Sequence, residues 1–426
     1  MANRNIFCNV PWTNLHVYWD GSFGVCCSEK EKFATDPDLN LKNMTVSDWY
    51  KSTAMAKVRD LLSGDDRLPQ CRGCYQQESV GYESRRIKEN FKSVIFTEQS
   101  FERSYLQSPW HAKFESRTAD THPIDWHIDF GNECNLACKM CHAGASSTIA
   151  AHLRRIGKHA GPVKTSWADD PAAWKNFLDS VDAAPLTRIH VMGGEPMLIK
   201  RYREFIDYLI ANKRFEISLS FVTNGTIVNQ ELLDKLKKFA NVDIEISIES
   251  IYENNDYIRQ GCQIEQIMDS IRLVTANQDE KLQLILRTAP QLLSIGTYAD
   301  LIQYAYDNRL IIEGIPLIRP DFMAVKVLPH DLREQMLPTF RDLEQTISST
   351  ISFQQMQVGR GIGSYREKLL RECQSMIRML QEPEPANVVE LRQQLVTHLM
   401  MWDKIYKMDA LRLYPFLEDW GYDASN

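Results

Sequence analysis

Three cysteines on one short loop have the spacing in this chain that best suits metal chemistry. Cys134, Cys138 and Cys141 follow the pattern Cys-x3-Cys-x2-Cys, directly after a run that predicts a β-strand. Three thiolates on a tight loop can hold three corners of a cubic iron–sulfur cluster and leave the fourth iron without a protein ligand. An open metal position is typical of a catalytic site, whereas structural sites are closed. The loop therefore indicates catalysis at a metal cluster.

Zinc is the alternative metal for this loop. Zinc usually takes four ligands, often as two Cys-x2-Cys pairs, and the loop supplies three thiols. His142 is the available fourth ligand, but it follows Cys141 directly in the chain, where the geometry for binding one ion is poor. The spacing therefore favours iron and sulfur over zinc.

A second set of cysteines lies near the N-terminus. Cys8 precedes a predicted hairpin, Cys26 and Cys27 end it, and Cys71 and Cys74 form a Cys-x2-Cys pair after a predicted helix. Strand alternation favours only one of Cys26 and Cys27 as a ligand, and we expect Cys26. Four thiolates predict a closed cage, which suits either an auxiliary [4Fe–4S] cluster or a structural zinc site.

Small and polar residues follow the strands predicted after the cysteine loop. Paired glycines let the backbone approach a ligand closely, and bare carbonyls with a glutamate suit an ammonium group. Because ligand groups in α/β barrels collect at the carboxyl ends of the strands, we expect one shared site. The candidates are Gly193, Gly194, Glu195 and Pro196 after the second strand, Thr223 and Asn224 at the end of the third, and Ser247 in the fourth.

These motifs need a sheet that brings their strand ends together. Short apolar runs alternate with amphipathic helical stretches, and repeated β–α units predict a parallel sheet. Six units predict an α/β fold with an open, partial (β/α)6 TIM-like barrel. The predicted strands are Trp126–Phe130, Arg188–Met192, Ile217–Val222, Ile244–Ile248, Leu282–Arg287 and Ile311–Ile318.

The chain divides into four predicted regions. Residues 1–80 form a small cysteine-rich cluster domain, residues 81–123 a helical connector, residues 124–327 the partial barrel, and residues 328–426 a C-terminal helical region. Within the connector, the basic run Arg85–Lys88 is flanked by glutamates and is interpreted as a solvated helix face of mixed charge.

Local patterns predict several details. Leu15–Trp19 and Phe23–Cys26 are expected to pair as a hairpin across a turn at Asp20 and Gly21. Thr45–Asp48 resembles a capping box at a helix start. His190, inside a strand, is expected to be a satisfied core histidine, and Cys373 is expected on the apolar face of a helix.

Composition narrows the class of protein. The 426 residues are 44% hydrophobic and 25% charged, as in soluble globular proteins. The formal net charge of -7 argues against a nucleic-acid partner, which needs a basic surface. No apolar leader and no membrane-spanning run is visible, so we expect a cytoplasmic protein without a membrane partner. Cysteines clustered in a reducing compartment indicate metal ligands rather than disulfides.

The motifs, one per strand and in this order, resemble those of the radical S-adenosylmethionine (SAM) enzymes over about residues 124–320. The resemblance implies that Cys134, Cys138 and Cys141 hold a [4Fe–4S] cluster, whose fourth iron chelates the amino and carboxylate groups of SAM. It also implies that the reduced cluster cleaves SAM to a 5′-deoxyadenosyl radical, which abstracts a hydrogen from a substrate.

The resemblance also implies roles for the other candidate residues. Gly193–Glu195 receive the SAM ammonium group, and Ser247 and Arg259 are candidates for its carboxylate or ribose. Arg287 competes for the carboxylate, since a guanidinium makes charge-assisted bonds to it. Met140 stands where many family members have an aromatic residue against the adenine.

The N-terminal segments Cys8–Trp12 and Cys71–Cys74 resemble the SPASM and twitch cluster domains of these enzymes. Those domains usually follow the barrel, whereas this one precedes it. The resemblance implies a second [4Fe–4S] cluster, held by Cys8, Cys26, Cys71 and Cys74.

The resemblance implies partners as well as cofactors. The substrate is expected to be a peptide or protein, with a nucleotide, sugar or other small molecule as the alternative. The electron donor is expected to be a flavodoxin or ferredoxin. A non-catalytic iron–sulfur or zinc protein is the alternative of another class, and the open three-cysteine site argues against it.

Overall fold

The computed structural model describes residues 8–92, apart from residues 28, 30, 31, 34, 35, 63–65, 80, 82 and 83, together with residues 122–350 and 365–423. Most of the predicted connector lies outside the described residues. Within them, no helix is long and apolar enough to cross a membrane.

One eight-stranded sheet organises the described chain, in the order β2-β1-β3-β4-β5-β6-β7-β8. All neighbouring strands are parallel except β1 and β2, which are antiparallel. The six strands predicted for a partial barrel are confirmed as β3 to β8. The strands are β1 Asn14–Val17, β2 Phe23–Gly24, β3 Asp125–Asp129, β4 Arg188–Met192, β5 Ser218–Thr223, β6 Asn241–Ser247, β7 Leu282–Thr288 and β8 Ile311–Gly314.

The N-terminal hairpin continues the barrel sheet. Strand β1 pairs in parallel with β3, so that Leu15 lies opposite Trp126 and His16 opposite His127. The predicted hairpin is confirmed, and it contributes a seventh parallel strand. In the described chain the sheet stays open, with β2 and β8 as its edges.

Fifteen α-helices are present in the described ranges, and many of them connect consecutive strands. Asn229 caps one of these crossover helices by accepting a bond from the Leu232 amide at 2.9 Å. The predicted capping box is also confirmed, since Thr45 and Asp48 bond each other's backbone amides. The helices are α1 Val10–Thr13, α2 Val46–Tyr50, α3 Thr53–Leu62, α4 Arg72–Ser79, α5 Arg85–Lys92, α6 Ser147–Arg155, α7 Pro171–Ala183, α8 Lys200–Ala211, α9 Gln230–Leu236, α10 Asn254–Ile258, α11 Ile264–Ala276, α12 Ile295–Asp307, α13 His330–Ser349, α14 Tyr365–Leu380 and α15 Val388–Tyr406.

The two faces of the sheet differ in chemistry, because successive side chains on a strand point to opposite faces. One face is aliphatic and aromatic and packs in the main core, as Trp126 and Ile128 do. The residues between them are polar, and several are buried. We call this second face the inner face; it carries His127, His190, Ser220, Glu245, Arg287 and Glu313.

The C-terminal helices cover the β8 end of the sheet and the cysteine loop. On α14, Glu372 accepts a bond from the Gly314 amide of β8 at 2.6 Å. Cys373 is fully buried on the same helix, as expected. His190 is also satisfied as expected, because its Nδ1 lies 2.8 Å from the Ser220 hydroxyl.

Candidate active site

The loop that follows β3 is held in shape by its own polar residues. Asn132 donates to the carbonyls of Ala143 and Val163, both at 3.0 Å, and its Oδ1 accepts the Thr165 amide at 2.8 Å. At the start of α6, the Ser147 hydroxyl bonds both the amide and the carbonyl of Cys134. These bonds leave the cysteine loop little freedom.

The loop after β4 packs directly on the cysteine loop. Gly194 has a φ of +57°, and a Cβ there would lie 2.5 Å from the carbonyl oxygen of Glu133. Only glycine fits such a close approach with a left-handed backbone. The next amide, from Glu195, donates to the same Glu133 carbonyl at 2.7 Å. The first two strand-end motifs therefore meet through their backbones.

The Glu195 side chain joins the loop after β4 to the end of β5. Its carboxylate is fully buried and accepts bonds from the Thr223 hydroxyl at 2.8 Å and the Asn224 amide at 2.7 Å. Burial raises the pKa of Glu195, and these donors oppose that rise. The carboxylate thus points into the protein and joins the two loops.

Asn224 completes the connection back to the cysteine loop. Its Nδ2 donates to Asn135 Oδ1 at 2.8 Å, and Asn135 Nδ2 donates to the Thr226 hydroxyl at 3.0 Å. Asn135 directly follows Cys134. The three predicted motifs are therefore bound to one another at the carboxyl ends of β3, β4 and β5, with Pro196 buried behind them.

Arg259 lies between the cysteine loop and the end of β6. Its Nη2 donates to Glu249 Oε1 at 2.6 Å, and Glu249 Oε2 accepts the Ala289 amide at 2.9 Å. Burial raises the pKa of the Cys138 thiol, and the neighbouring Arg259 guanidinium opposes that rise. The buried Nε of Arg259 has no hydrogen-bond partner among the described residues. Arg259 therefore keeps a donor for a ligand beside Cys138.

The other predicted SAM-binding residues are Ser247, Arg287 and Met140, and each lies in a different environment. Ser247 ends β6 and is buried opposite Arg287 of β7. The Arg287 guanidinium is already engaged, because it donates to Glu245 at 2.8 Å and to Glu313 at 3.1 Å. Met140 is half-buried within the cysteine loop. Arg259 rather than Arg287 thus has unfilled capacity near the thiols.

The three loop thiols fit a metal cluster. All three are free, and they lie within electrostatic range of one another. Burial and the neighbouring Cys138 raise the pKa of Cys141 to about 12, and burial raises the pKa of Cys134 to about 12. Thiolates in such a place need a compensating cation, which a metal provides as it displaces the protons.

A single metal ion fits the described residues less well. No three histidine, cysteine or carboxylate side chains in the described ranges converge on a point that would hold one ion. A cubane spreads its ligands over four irons, so its thiols need not converge in this way.

The N-terminal cysteines also come together. Burial raises the pKa of Cys8, and Cys74 and Cys71 add to the rise, so these thiols are neighbours. Cys26 and Cys27 are adjacent to each other, and both are within electrostatic range of Cys74. The hairpin, the turn Pro69–Cys71 and α4 thus gather five thiols, and both Cys26 and Cys27 lie within the set.

The interpretation of Arg85–Lys88 as a solvated helix face is wrong. Arg86 is buried and pairs with Glu78, because α5 packs against the N-terminal cysteines instead of facing water. Arg85 Nη1 lies 3.6 Å from the Cys27 sulfur and 3.0 Å from His127 Nδ1. Arg85 therefore links the N-terminal cysteine set to the inner face of the barrel.

Unfilled hydrogen-bonding capacity lies between the two cysteine sets. His16 Nε2 is 3.4 Å from Asp129 Oδ2 at the end of β3, and Asp129 touches Gly193. Neither ring nitrogen of His16, nor Asp129 Oδ1, has a hydrogen-bond partner in the described chain. Buried polar atoms of this kind are costly unless something bonds to them.

A buried ion pair fixes the cysteine loop from behind. The Lys139 ammonium is fully buried, 3.2 Å from Asp403 on α15 and 4.5 Å from the centre of the Tyr257 ring. Burial lowers the pKa of Lys139, and Asp403 opposes that shift. On the same helix, His398 Nε2 lies 2.8 Å from the Lys139 carbonyl oxygen. Sequence reasoning missed this pair, whose only signal was a lysine between two predicted cluster ligands.

Comparison with known families agrees with this geometry. Residues 128–285 match the family model of the radical SAM superfamily, and residues 8–75 match that of SPASM, an iron–sulfur cluster-binding domain. The chain therefore contains a radical SAM domain, preceded by a SPASM domain. This radical SAM enzyme has its SPASM domain at the N-terminal side of the barrel, as expected. Its cofactors are accordingly a [4Fe–4S] cluster with SAM and an auxiliary iron–sulfur cluster.

The chain also aligns in part with curated relatives. It is 25% identical over 175 residues to the sporulation killing factor maturation protein SkfB of Bacillus subtilis, which is 41% of this chain and 37% of that protein. It is 27% identical over 138 residues to the mycofactocin maturase MftC of Mycobacterium tuberculosis, covering 32% of this chain and 30% of that protein. The matches thus span about a third of each relative.

Solved structures of two similar proteins align less closely. SuiB of Streptococcus suis, bound to its precursor peptide SuiA, has 15% identity and a TM-score of 0.37, covering 66% of this chain and 58% of SuiB. The protein anSMEcpe with bound AdoMet has 14% identity and a TM-score of 0.36, and the alignment covers 68% of this chain and 88% of anSMEcpe. The strand order of this chain defines its fold independently of these alignments.

Asp403→Asn should destabilise the radical SAM enzyme. The Lys139 ammonium would stay buried without its counter-charge, and breaking a buried pair costs about 3–5 kcal/mol. The midpoint of thermal unfolding should fall by roughly 10 °C. Asp419→Asn, at an exposed position of the same C-terminal segment, is the matched control. Equal midpoints for the two variants would show that the pair contributes nothing.

Proposed function

We propose that this radical SAM enzyme cleaves SAM reductively and takes a hydrogen atom from a peptide or protein substrate. Cys134, Cys138 and Cys141 hold the SAM-binding cluster in this proposal. The bound cluster and SAM supply the 5′-deoxyadenosyl radical. The chain's own residues orient SAM, exclude water and present the substrate.

One observation carries this proposal: the three strand-end motifs are hydrogen-bonded to one another beside the thiols. The backbone of Gly193–Glu195, held against Glu133, is assigned to the SAM ammonium group. Arg259, with an unfilled Nε beside Cys138, is assigned to the SAM carboxylate. Ser247, Thr223, Asn224, Pro196 and Met140 complete the proposed lining.

The N-terminal thiols are assigned to the auxiliary cluster. Cys8, Cys26, Cys71 and Cys74 are the proposed ligands, with Cys27 as the alternative to Cys26. Arg85, which touches both Cys27 and His127, supports electrostatic communication between this cluster and the inner face. A flavodoxin or ferredoxin is the proposed electron donor. The ten free cysteines support a reducing, cytoplasmic setting.

A peptide or protein substrate is supported by the named activities of the relatives. SkfB and MftC are named for the maturation of a sporulation killing factor and of mycofactocin, and maturation acts on a precursor. The unfilled polar atoms of His16 and Asp129, between the two cysteine sets, are the proposed contacts for a polar group of that substrate.

Cys138→Ala tests the catalytic assignment. Anaerobically reconstituted wild-type protein should bind about eight irons and release 5′-deoxyadenosine from SAM and dithionite. The variant should retain about four irons and release none, because the open cluster loses a ligand. Cys373→Ala, at a buried thiol outside both sets, should behave as wild type. Wild-type protein that releases no deoxyadenosine under these conditions would refute the proposed function.

Cys74→Ala tests the second set of ligands. Iron should again fall to about four per chain, but release of 5′-deoxyadenosine in the absence of substrate should persist, because the SAM-binding cluster is intact. Iron analysis and electron paramagnetic resonance of the reduced protein measure the two clusters separately. An unchanged iron content would remove Cys74 from the ligand set.

Glu195→Gln tests the bonds between the SAM-binding loops. The amide would place an NH2 group against donors that now meet a carboxylate oxygen, and lost hydrogen bonds to a charged group cost about 1.5–3 kcal/mol each. SAM affinity, measured by equilibrium dialysis, should fall about tenfold. Glu204→Gln on the exposed face of α8 is the control. Equal dissociation constants would contradict the role of Glu195.

A further inference from the structure

A pocket at the β8 edge of the sheet lies apart from the proposed SAM-binding residues. Its lining leaves about 50 Å³ for water-sized occupants, and the space around them is partly open to solvent. Its lining comes from three elements that are distant in sequence: α5 with Lys88, β8 with Glu313, and α14 with Lys368 and Ser375. The pocket therefore exists only because α5 and α14 both pack at this edge.

The carboxylates of the pocket are already engaged by the protein. Glu313 accepts from Lys88 at 2.8 Å, from Lys368 at 2.9 Å and from Arg287 at 3.1 Å. Burial alone would raise the pKa of Glu313, but these three cations together hold it well below its usual value. Glu372, also in the lining, accepts the Gly314 amide. Both carboxylates are thus hydrogen-bonded to groups of the protein.

The cations of the pocket have donors to spare. An ammonium group has three N–H donors, and in the described contacts Lys88 and Lys368 each direct one to Glu313. Arg371 is a further cationic residue of the lining. The two ammonium groups thus leave hydrogen-bond donors for a ligand.

Ser375 provides an independent indication of a ligand. Its residue is 1% exposed and lines the pocket, yet its hydroxyl has no hydrogen-bond partner in the part of the chain that the structure describes. A buried hydroxyl without a partner is costly. A ligand oxygen in the pocket would satisfy it.

The pocket also communicates with the inner face of the barrel. Arg287 donates to Glu313 in the pocket and, through its Nε, to Glu245 at 2.8 Å on the inner face. Glu313 lies opposite Arg287, which in turn lies opposite Ser247 at the carboxyl end of β6. The pocket is thus linked through Arg287 to the strand that neighbours Ser247.

We propose that this pocket binds a carboxylate of the substrate, held by Lys88, Lys368 and the Ser375 hydroxyl. Lysine and serine donors suit carboxylate oxygens, and charge-assisted bonds of this kind are the strong ones. The proposal rests on the proposed function, since a peptide presents the carboxylate either on an acidic side chain or at its C-terminus. The pocket would then select substrates at a distance from the radical chemistry.

The test measures binding of probe peptides to the reconstituted holoenzyme by fluorescence anisotropy. Three fluorescein-labelled decapeptides are compared: an amidated Gly-Glu repeat, an amidated Gly-Gln repeat, and a Gly-Gln repeat with a free C-terminal carboxylate. At least one carboxylate peptide should bind about tenfold more tightly than the amidated Gly-Gln peptide. The peptide that shows the gain identifies the source of the carboxylate.

Variants then connect that preference to the pocket. Lys368→Ala should weaken binding of the preferred peptide about tenfold and leave the amidated Gly-Gln peptide unchanged, while Lys368→Arg keeps most of the preference. Ser375→Ala, which removes one buried oxygen, should weaken binding of the preferred peptide several-fold. Lys200→Ala, at a lysine whose side chain is 80% exposed, is the control.

Two results would overturn the pocket proposal. One is equal binding of all three peptides, and the other is a preference that Lys368→Ala and Ser375→Ala leave at the level of Lys200→Ala. Release of 5′-deoxyadenosine without peptide is measured on the same samples, and Lys368→Ala should leave it unchanged. Deoxyadenosine release without a carboxylate preference refutes the pocket alone, whereas a preference without deoxyadenosine release refutes the proposed function alone.

Discussion

The architecture of this site depends on one buried carboxylate. Glu195 lies where the loops after β4 and β5 meet, and its oxygens accept the Thr223 hydroxyl and the Asn224 amide. Its own amide is bonded to the cysteine loop through Glu133. Because hydrogen bonds to a buried charge are strong, and costly to leave unmade, these loops have one favourable arrangement. The positions of the thiols and of the proposed SAM contacts depend on this arrangement of the loops.

The C-terminal helices stabilise the same loop from its other side. The Lys139–Asp403 pair joins the centre of the cysteine loop to a helix more than 260 residues later in the chain. Two charges taken from water together are stabilising only if further hydrogen bonds satisfy them. Asp403 meets this condition, since its Oδ2 also accepts the hydroxyls of Tyr257 and Tyr422. The C-terminal region thus helps to hold the cysteine loop in place.

The inner face of the barrel is unusual in its density of charge. Burial and the Arg85 guanidinium hold the pKa of His127 there well below its usual value. Its ring centre lies 4.5 Å from that of His190, with the two ring planes tilted by 42°, and His190 bonds Ser220. Together with Glu245, Arg287 and Glu313, these groups extend from the N-terminal cysteines to the β8 pocket. A polar lining of this kind suits a substrate with polar groups better than an apolar one.

The sequence by itself determined the six barrel strands, the cysteine loop and the strand-end motifs, since hydrophobic periodicity and local spacing encode them. It also predicted that these motifs meet, because the carboxyl ends of parallel strands share one edge. Only the tertiary structure decided the rest. Several features join residues far apart in the chain: the pairing of β1 with β3, the contact of Arg85 with His127, the Lys139–Asp403 pair and the β8 pocket. Such contacts depend on how elements pack, and packing leaves no local pattern in a sequence.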